Sequence, residues 1–183
     1  MIRFLLTIIV FTISPPLFAD ILEGNKKIYL VSSANELTHI ANVTFTPSDE
    51  NEKVDYKVSV IDSPFENQFL SMRPFQCMMG KKQVMCHVPY PYEKTGFVTK
   101  SDIAALSYDI LFLHKNPAEY GINLWNGIFY KLEIKDESIE GTLYEVDMNT
   151  IASPPEIEGL PFTEDLIFEA DLDNYVYPRI LIK

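Results

Sequence analysis

Imidazole and thiol are scarce in this chain. Its 183 residues include three histidines, two cysteines and one tryptophan. Short catalytic signatures are missing as well: there is no Gly-x-Ser-x-Gly elbow, no His-x-x-Glu-His or its reverse, no P-loop and no Gly-x-Gly-x-x-Gly turn. The hydrolases, zinc peptidases and nucleotide-binding enzymes marked by those motifs are therefore not indicated. His39, His87 and His114 lie on three separate segments, so the sequence marks out no Ser-His-Asp set.

A basic surplus is also absent. Fifteen Lys and Arg face 26 Asp and Glu, a formal net charge of −11. A surface this acidic disfavours phosphate backbones and anionic lipid, so nucleic acid is not an expected partner. The imbalance sits mainly in the last third. From Asp136 onward 12 acidic residues face only Arg179 and Lys183, whereas Asp20 to Lys135 is nearly neutral, with 14 acidic and 12 basic residues. The acidic third favours solubility and suits a cationic partner.

Long apolar runs are confined to the start, "MIRFLLTIIVFTISPPLFAD". Phe4 to Ile13 is about half the length that spans a bilayer. Arg3, this short apolar core and a small residue at Ala19 have the layout of a secretory signal peptide, with the cut after Ala19. Residues 1–19 are thus read as a signal peptide and 20–183 as a single β-rich domain. The expected location is the periplasm or the exterior, with no stable membrane insertion once the signal is removed. No internal repeat or low-complexity tract interrupts the domain.

What is present is alternation. In Val54 to Ile61, Val54, Tyr56, Val58 and Val60 point one way while Asp55, Lys57 and Ser59 point the other. Ile128 to Lys135 alternates in the same manner. Asp136-Glu137-Ser138 then turns the chain into Ile139 to Val146, which predicts a hairpin. Weaker strands are expected at Lys27 to Ser32, His39 to Thr46, Leu166 to Ala170 and Val176 to Ile182. One helix is predicted from an N-cap at Ser101, with Ile103, Leu106, Ile110 and Leu113 on one face, ending at Asn116-Pro117. The alternative for Tyr108 to Leu113 is a buried strand. Ala152 to Asp165, with three prolines, reads as a surface loop. The fold class is α+β: a mainly antiparallel curved sheet or partly open barrel with one covering helix, or alternatively a β-sandwich.

Both cysteines fall within "CMMGKKQVMC", Cys77 to Cys86. In an exported chain two cysteines pair, and a turn at Gly80-Lys81-Lys82 sets them opposite each other. That register places Met78 across from Met85 and Gln76 across from His87. Phe75, Cys77, Met79, Val84, Cys86 and Val88 then form the expected core face. Met78, Met85 and His87 gather on the other face, and thioether and imidazole are ligands for Cu(I). A weak soft-metal (copper) site is thus one expectation. Cys-x-x-Cys spacing is absent, so redox catalysis is not expected.

No resident cofactor is indicated by any motif. The expected function is non-enzymatic: an exported binding or interaction protein whose partner is an unspecified protein or small ligand. Tyr90, Tyr92, Tyr120 and Trp125 are its candidate binding surface, because aromatic side chains give contact area at low entropy cost. The alternative is an exported hydrolase with a non-obvious site. Asp171-Leu172-Asp173-Asn174 is read as a solvated acidic turn, since Tyr175 stands where a calcium loop needs oxygen.

Overall fold

The computed structural model describes residues 21–49, 52–70, 74–155 and 161–183. The expected signal peptide and its cut after Ala19 therefore lie outside the described residues. Strands dominate, in the order β1 (Gly24–Val31), β2 (Leu37–Pro47), β3 (Val54–Val60), β4 (Glu66–Phe69), β5 (Pro74–Met79), β6 (Val84–Val88) and β7 (Phe97–Val98). A helical turn α1 (Ala104–Ser107) leads into β8 (Leu111–Lys115), β9 (Gly127–Ile134), β10 (Ile139–Val146), β11 (Ile167–Glu169) and β12 (Arg179–Ile182).

All strands join one antiparallel sheet in the order β4-β5-β6-β8-β9-β10-β12-β1-β2-β3-β7, with β11 added against β10. The sheet is not closed into a barrel. This is the β-rich curved sheet with one helix that the alternation implies. The predicted β9–β10 hairpin forms, with Ile139 opposite Ile134 through Val146 opposite Gly127. Gly127 is required there. A Cβ on it would lie 2.4 Å from the Val146 carbonyl oxygen and 2.7 Å from Met148 Cγ.

The main core lies on one face of the sheet. Ile28, Val43, Phe45, Met85, Phe112, Ile128, Tyr130, Ile139 and Ile180 all belong to it and are buried. A second, smaller core forms on the opposite face, where Tyr108, Leu111, Leu113, Phe129, Val146, Met148 and Phe162 pack together. Two covered faces explain why β8 reads "LFLHK" with hardly a polar alternation.

Three expectations change. The helix is short: α1 has four residues and passes through a three-residue 3-10 turn, Tyr108–Ile110, directly into β8. The cap is not Ser101. Asp102 Oδ1 accepts the Ala104 N–H, and Thr99 Oγ1 accepts the Asp102 N–H. Ile110 to Leu113 are buried by the sheet in either conformation, so apolar spacing alone did not separate helix from strand. His114 accordingly lies on a strand, away from any helix end.

His39 is the second. Its parity with Ala41 and Val43 implies a buried histidine with a hydrogen-bond partner; the partner is there, but the ring is only half-buried. A bulge at Ile40 shifts the register, pairing Ala41 with Ile28 but His39 with Tyr29. His39 therefore packs beside the Tyr29 ring at 5.3 Å, with Nε2 close to Ala41 O and Asn42 Oδ1.

The third concerns the hairpin of β5 and β6. Cys77 and Cys86 are disulfide-bonded, and the pairs Met78–Met85 and Gln76–His87 follow. Both of its faces are buried, however. Met78 and Met85 enter the main core, while Cys77, Val84 and Cys86 form a small separate cluster with Leu70 and Phe75. The methionine face, rather than the cysteine face, is the main core side, since Met78 and Met85 share the main core with Phe112 of β8.

Candidate functional site

A cleft of about 580 Å³ opens between α1, the outer face of β9 and the segment 162–167. Its origin is local. α1 presents Ala104, Ser107 and Tyr108 on one side, three and four residues apart. β9 contributes Phe129, Lys131 and Glu133, alternate residues of one face. Phe162, Glu164 and Ile167 close the third side.

An aromatic cluster forms the wall. The Tyr108 ring stacks on Phe162 at 5.4 Å and meets Phe129 edge-on at 5.6 Å, and Phe129 meets Phe162 edge-on at 5.8 Å. The cluster is tied to the backbone, since the Phe162 N–H donates to the Tyr108 hydroxyl at 2.8 Å. Burial raises the Tyr108 pKa above the ordinary phenol value, so this phenol stays protonated. Tyr90 extends the cluster, edge-on to Tyr108 at 5.1 Å and to Tyr92 at 5.7 Å.

The rim is charged. Lys131 Nζ donates to Glu164 Oε1 at 2.8 Å and Oε2 at 3.0 Å, which raises the lysine pKa. Both partners are exposed, so the pair is worth about 0–1 kcal/mol and opens readily.

Two buried hydroxyls lie beside Tyr108, Ser107 Oγ as its chain neighbour and Tyr90 OH through the ring contact, and both lack a hydrogen-bond partner. Such orphans are rare, because an unpaired buried hydroxyl forfeits about 1–3 kcal/mol.

A smaller polar pocket, about 270 Å³, includes His114, Glu145 and Tyr175. The Tyr175 hydroxyl donates to Glu145 Oε1 at 2.6 Å, and its oxygen is 3.4 Å from His114 Nε2. Burial lowers the His114 pKa, so the ring favours its neutral form.

The sequence-derived candidates fall into separate groups, with Met78, Met85 and His87 on one face of the β5–β6 hairpin. His87 donates Nε2–H to the Asp109 carbonyl at 3.0 Å and presents its ring to Phe112, while Met78 and Met85 are packed in the core. Burial lowers the His87 pKa. Among the described residues, no group of three or more His, Cys, Asp or Glu could hold a metal ion. Tyr120 and Trp125 project into solvent on the loop before β9, whereas Tyr90 and Tyr92 are half-buried beside Tyr108. The four aromatics therefore fall into two groups. Asp171 caps a 3-10 turn through the Asp173 N–H and Asn174 Nδ2.

Sequence reasoning missed Ser107, Tyr108, Phe129 and Phe162. One signal was available: Phe129 is an aromatic on the same strand face as Lys131 and Glu133. The chain matches no family model, no curated protein and no solved structure.

Proposed function

We propose that the chain is an exported binding protein that takes a small, largely apolar ligand in the cleft between α1 and β9. The observation that supports this reading is the cleft itself: about 580 Å³ beside a fixed aromatic wall, with charges only at the mouth. Ligand sites are typically concave, mostly apolar and furnished with a few placed polar groups. A packed sheet on one side and a backbone-tethered phenol on the other hold the wall in place without a ligand, which lowers the entropy cost of binding.

Native mass spectrometry of the full chain against a library of small apolar compounds tests the reading. Ala104 is exposed and lines the cleft, so Ala104→Trp fills it without touching the core. Loss of the captured compounds in that variant supports the reading. Retention of all of them sinks it. Export is tested separately, by the mass of the secreted product, which should begin at Asp20.

A second reading, hydrolysis in the smaller pocket, is favoured by the His114–Tyr175–Glu145 contact. A neutral imidazole is a competent general base. An ester and peptide panel, run with His114→Gln as control, decides it. Activity that survives the substitution excludes His114 as the base.

A further inference from the structure

We propose that the ligand of this cleft is an uncharged ring compound with one hydroxyl or carbonyl group, which hydrogen-bonds the Ser107 hydroxyl. The proposal rests on the cleft being a ligand site and specifies the chemistry that the site selects.

Ser107 is the first argument. It lines the cleft, is 0 % exposed, and its hydroxyl has no hydrogen-bond partner. A helical serine ordinarily relieves burial by bonding back to the carbonyl one turn earlier. Here no such bond is made. Ser107 occupies the same side of the helical turn as Ala104, which also lines the cleft. The hydroxyl is both donor and acceptor, so either an alcohol or a carbonyl satisfies it.

Charge is the second argument. A charged ligand buried against the rings needs a counter-ion, and the charged groups of the cleft are largely exposed, where solvent screens them, and have partners of their own. Lys131 pairs with Glu164, Glu133 pairs with Lys135 at 2.6 Å, and Asp102 accepts the Ala104 N–H. Lys100 is engaged as well. Burying an ion beside Phe129 and Phe162 without a partner is strongly unfavourable. The third argument is shape. Tyr108, Phe129 and Phe162 offer ring faces and edges, which match a flat ring by offset stacking or edge-on contact.

The test uses the full chain and three probes of one skeleton: 2-naphthol (neutral), 2-naphthoate (anionic) and 2-naphthyltrimethylammonium (cationic), each titrated by calorimetry near neutral pH. The neutral probe should bind tightest. Ser107→Ala should weaken 2-naphthol about fivefold to tenfold, the worth of one buried hydrogen bond. It should leave the charged probes unchanged. Its melting temperature should stay or rise, because the free protein loses no hydrogen bond. Ala104→Trp should abolish binding of all three. If the wild type prefers either charged probe, or Ser107→Ala binds 2-naphthol as before, the proposal fails while the cleft reading stands. A fall in melting temperature with Ser107→Ala assigns the hydroxyl a structural role and also overturns the proposal. If Ala104→Trp binds every probe unchanged, or no probe binds the wild type, both readings fall.

Discussion

Lys94 and Asp109 form an ion pair, Nζ to Oδ2 at 2.6 Å, with only 17 % and 24 % of their side chains exposed. Lys94 also donates to the Tyr56 hydroxyl at 3.3 Å. Tyr56 lies on β3, near one end of the sheet, and Asp109 just before β8 in the other half. The ammonium thus ties together parts of the sheet that no backbone ladder joins. Burial, then the Asp109 charge, pushes the Tyr56 pKa far above its ordinary value.

Removing this tie should be costly. Lys94→Met leaves the Asp109 carboxylate without its cation in a largely desolvated place, and should cost about 2–3 kcal/mol. Adding Asp109→Asn should recover part of the loss. Urea unfolding of the two variants reads both effects; a double variant no more stable than Lys94→Met would mean that the pair is not coupled.

Acid should destabilise the protein through His87 and His114. Burial lowers both pKa values from the ordinary 6.5. The unfolded chain therefore binds these protons first, and stability is full above about 6.5 and falls as the pH drops below it. Urea midpoints measured from pH 8 to pH 5 should decline through that window. His87→Gln with His114→Gln should flatten the decline, and an unchanged slope would assign it to carboxylates instead.

The disulfide closes a short loop, its cysteines lying nine positions apart. Chain entropy then limits its contribution to under about 3 kcal/mol. Cys77→Ala with Cys86→Ala should yield a folded but less stable protein with unchanged circular dichroism. Complete unfolding would show that the bridge carries more than one hairpin.

Buried Met85 and exposed Met79 make an internal control. Met85 is 1 % exposed and Met79 52 %. Met85→Ala should cost about 2–5 kcal/mol by opening a cavity, and Met79→Ala less than about 0.5 kcal/mol. Equal losses in thermal unfolding would contradict the facing assigned to β5 and β6.

Where a segment has one wet face, its sequence was readable. Val54 to Val60 alternates, and its strand falls where the alternation places it. The β9–β10 hairpin and the cysteine register were legible from their polar turns, even though both faces of the β5–β6 hairpin are buried. Legibility failed where both faces are buried and no turn marks the strand. "DILFLHK" holds no polar alternation to distinguish a helix from a strand, and only the neighbours β6 and β9 decide it. The cleft was hidden for a further reason. Ser107 and Phe162 are 55 positions apart, and nothing local shows that they border the same space. Ile40 was opaque too, because a bulge leaves no mark in a run of apolar residues.

The seam of the sheet has a consequence for how the molecule is assembled. β12 lies between β10 and β1, so Ile182 pairs with Ile28 on one side and Ile139 on the other. Synthesis delivers β1, β2 and β3 first and the strand that joins them to the rest of the sheet near the end. Until then Ile28 and Leu30 wait on an open edge, a ready template for stray pairing. Contacts this distant in sequence also form slowly. The nascent chain should therefore depend on a holding chaperone until β12 is free to insert.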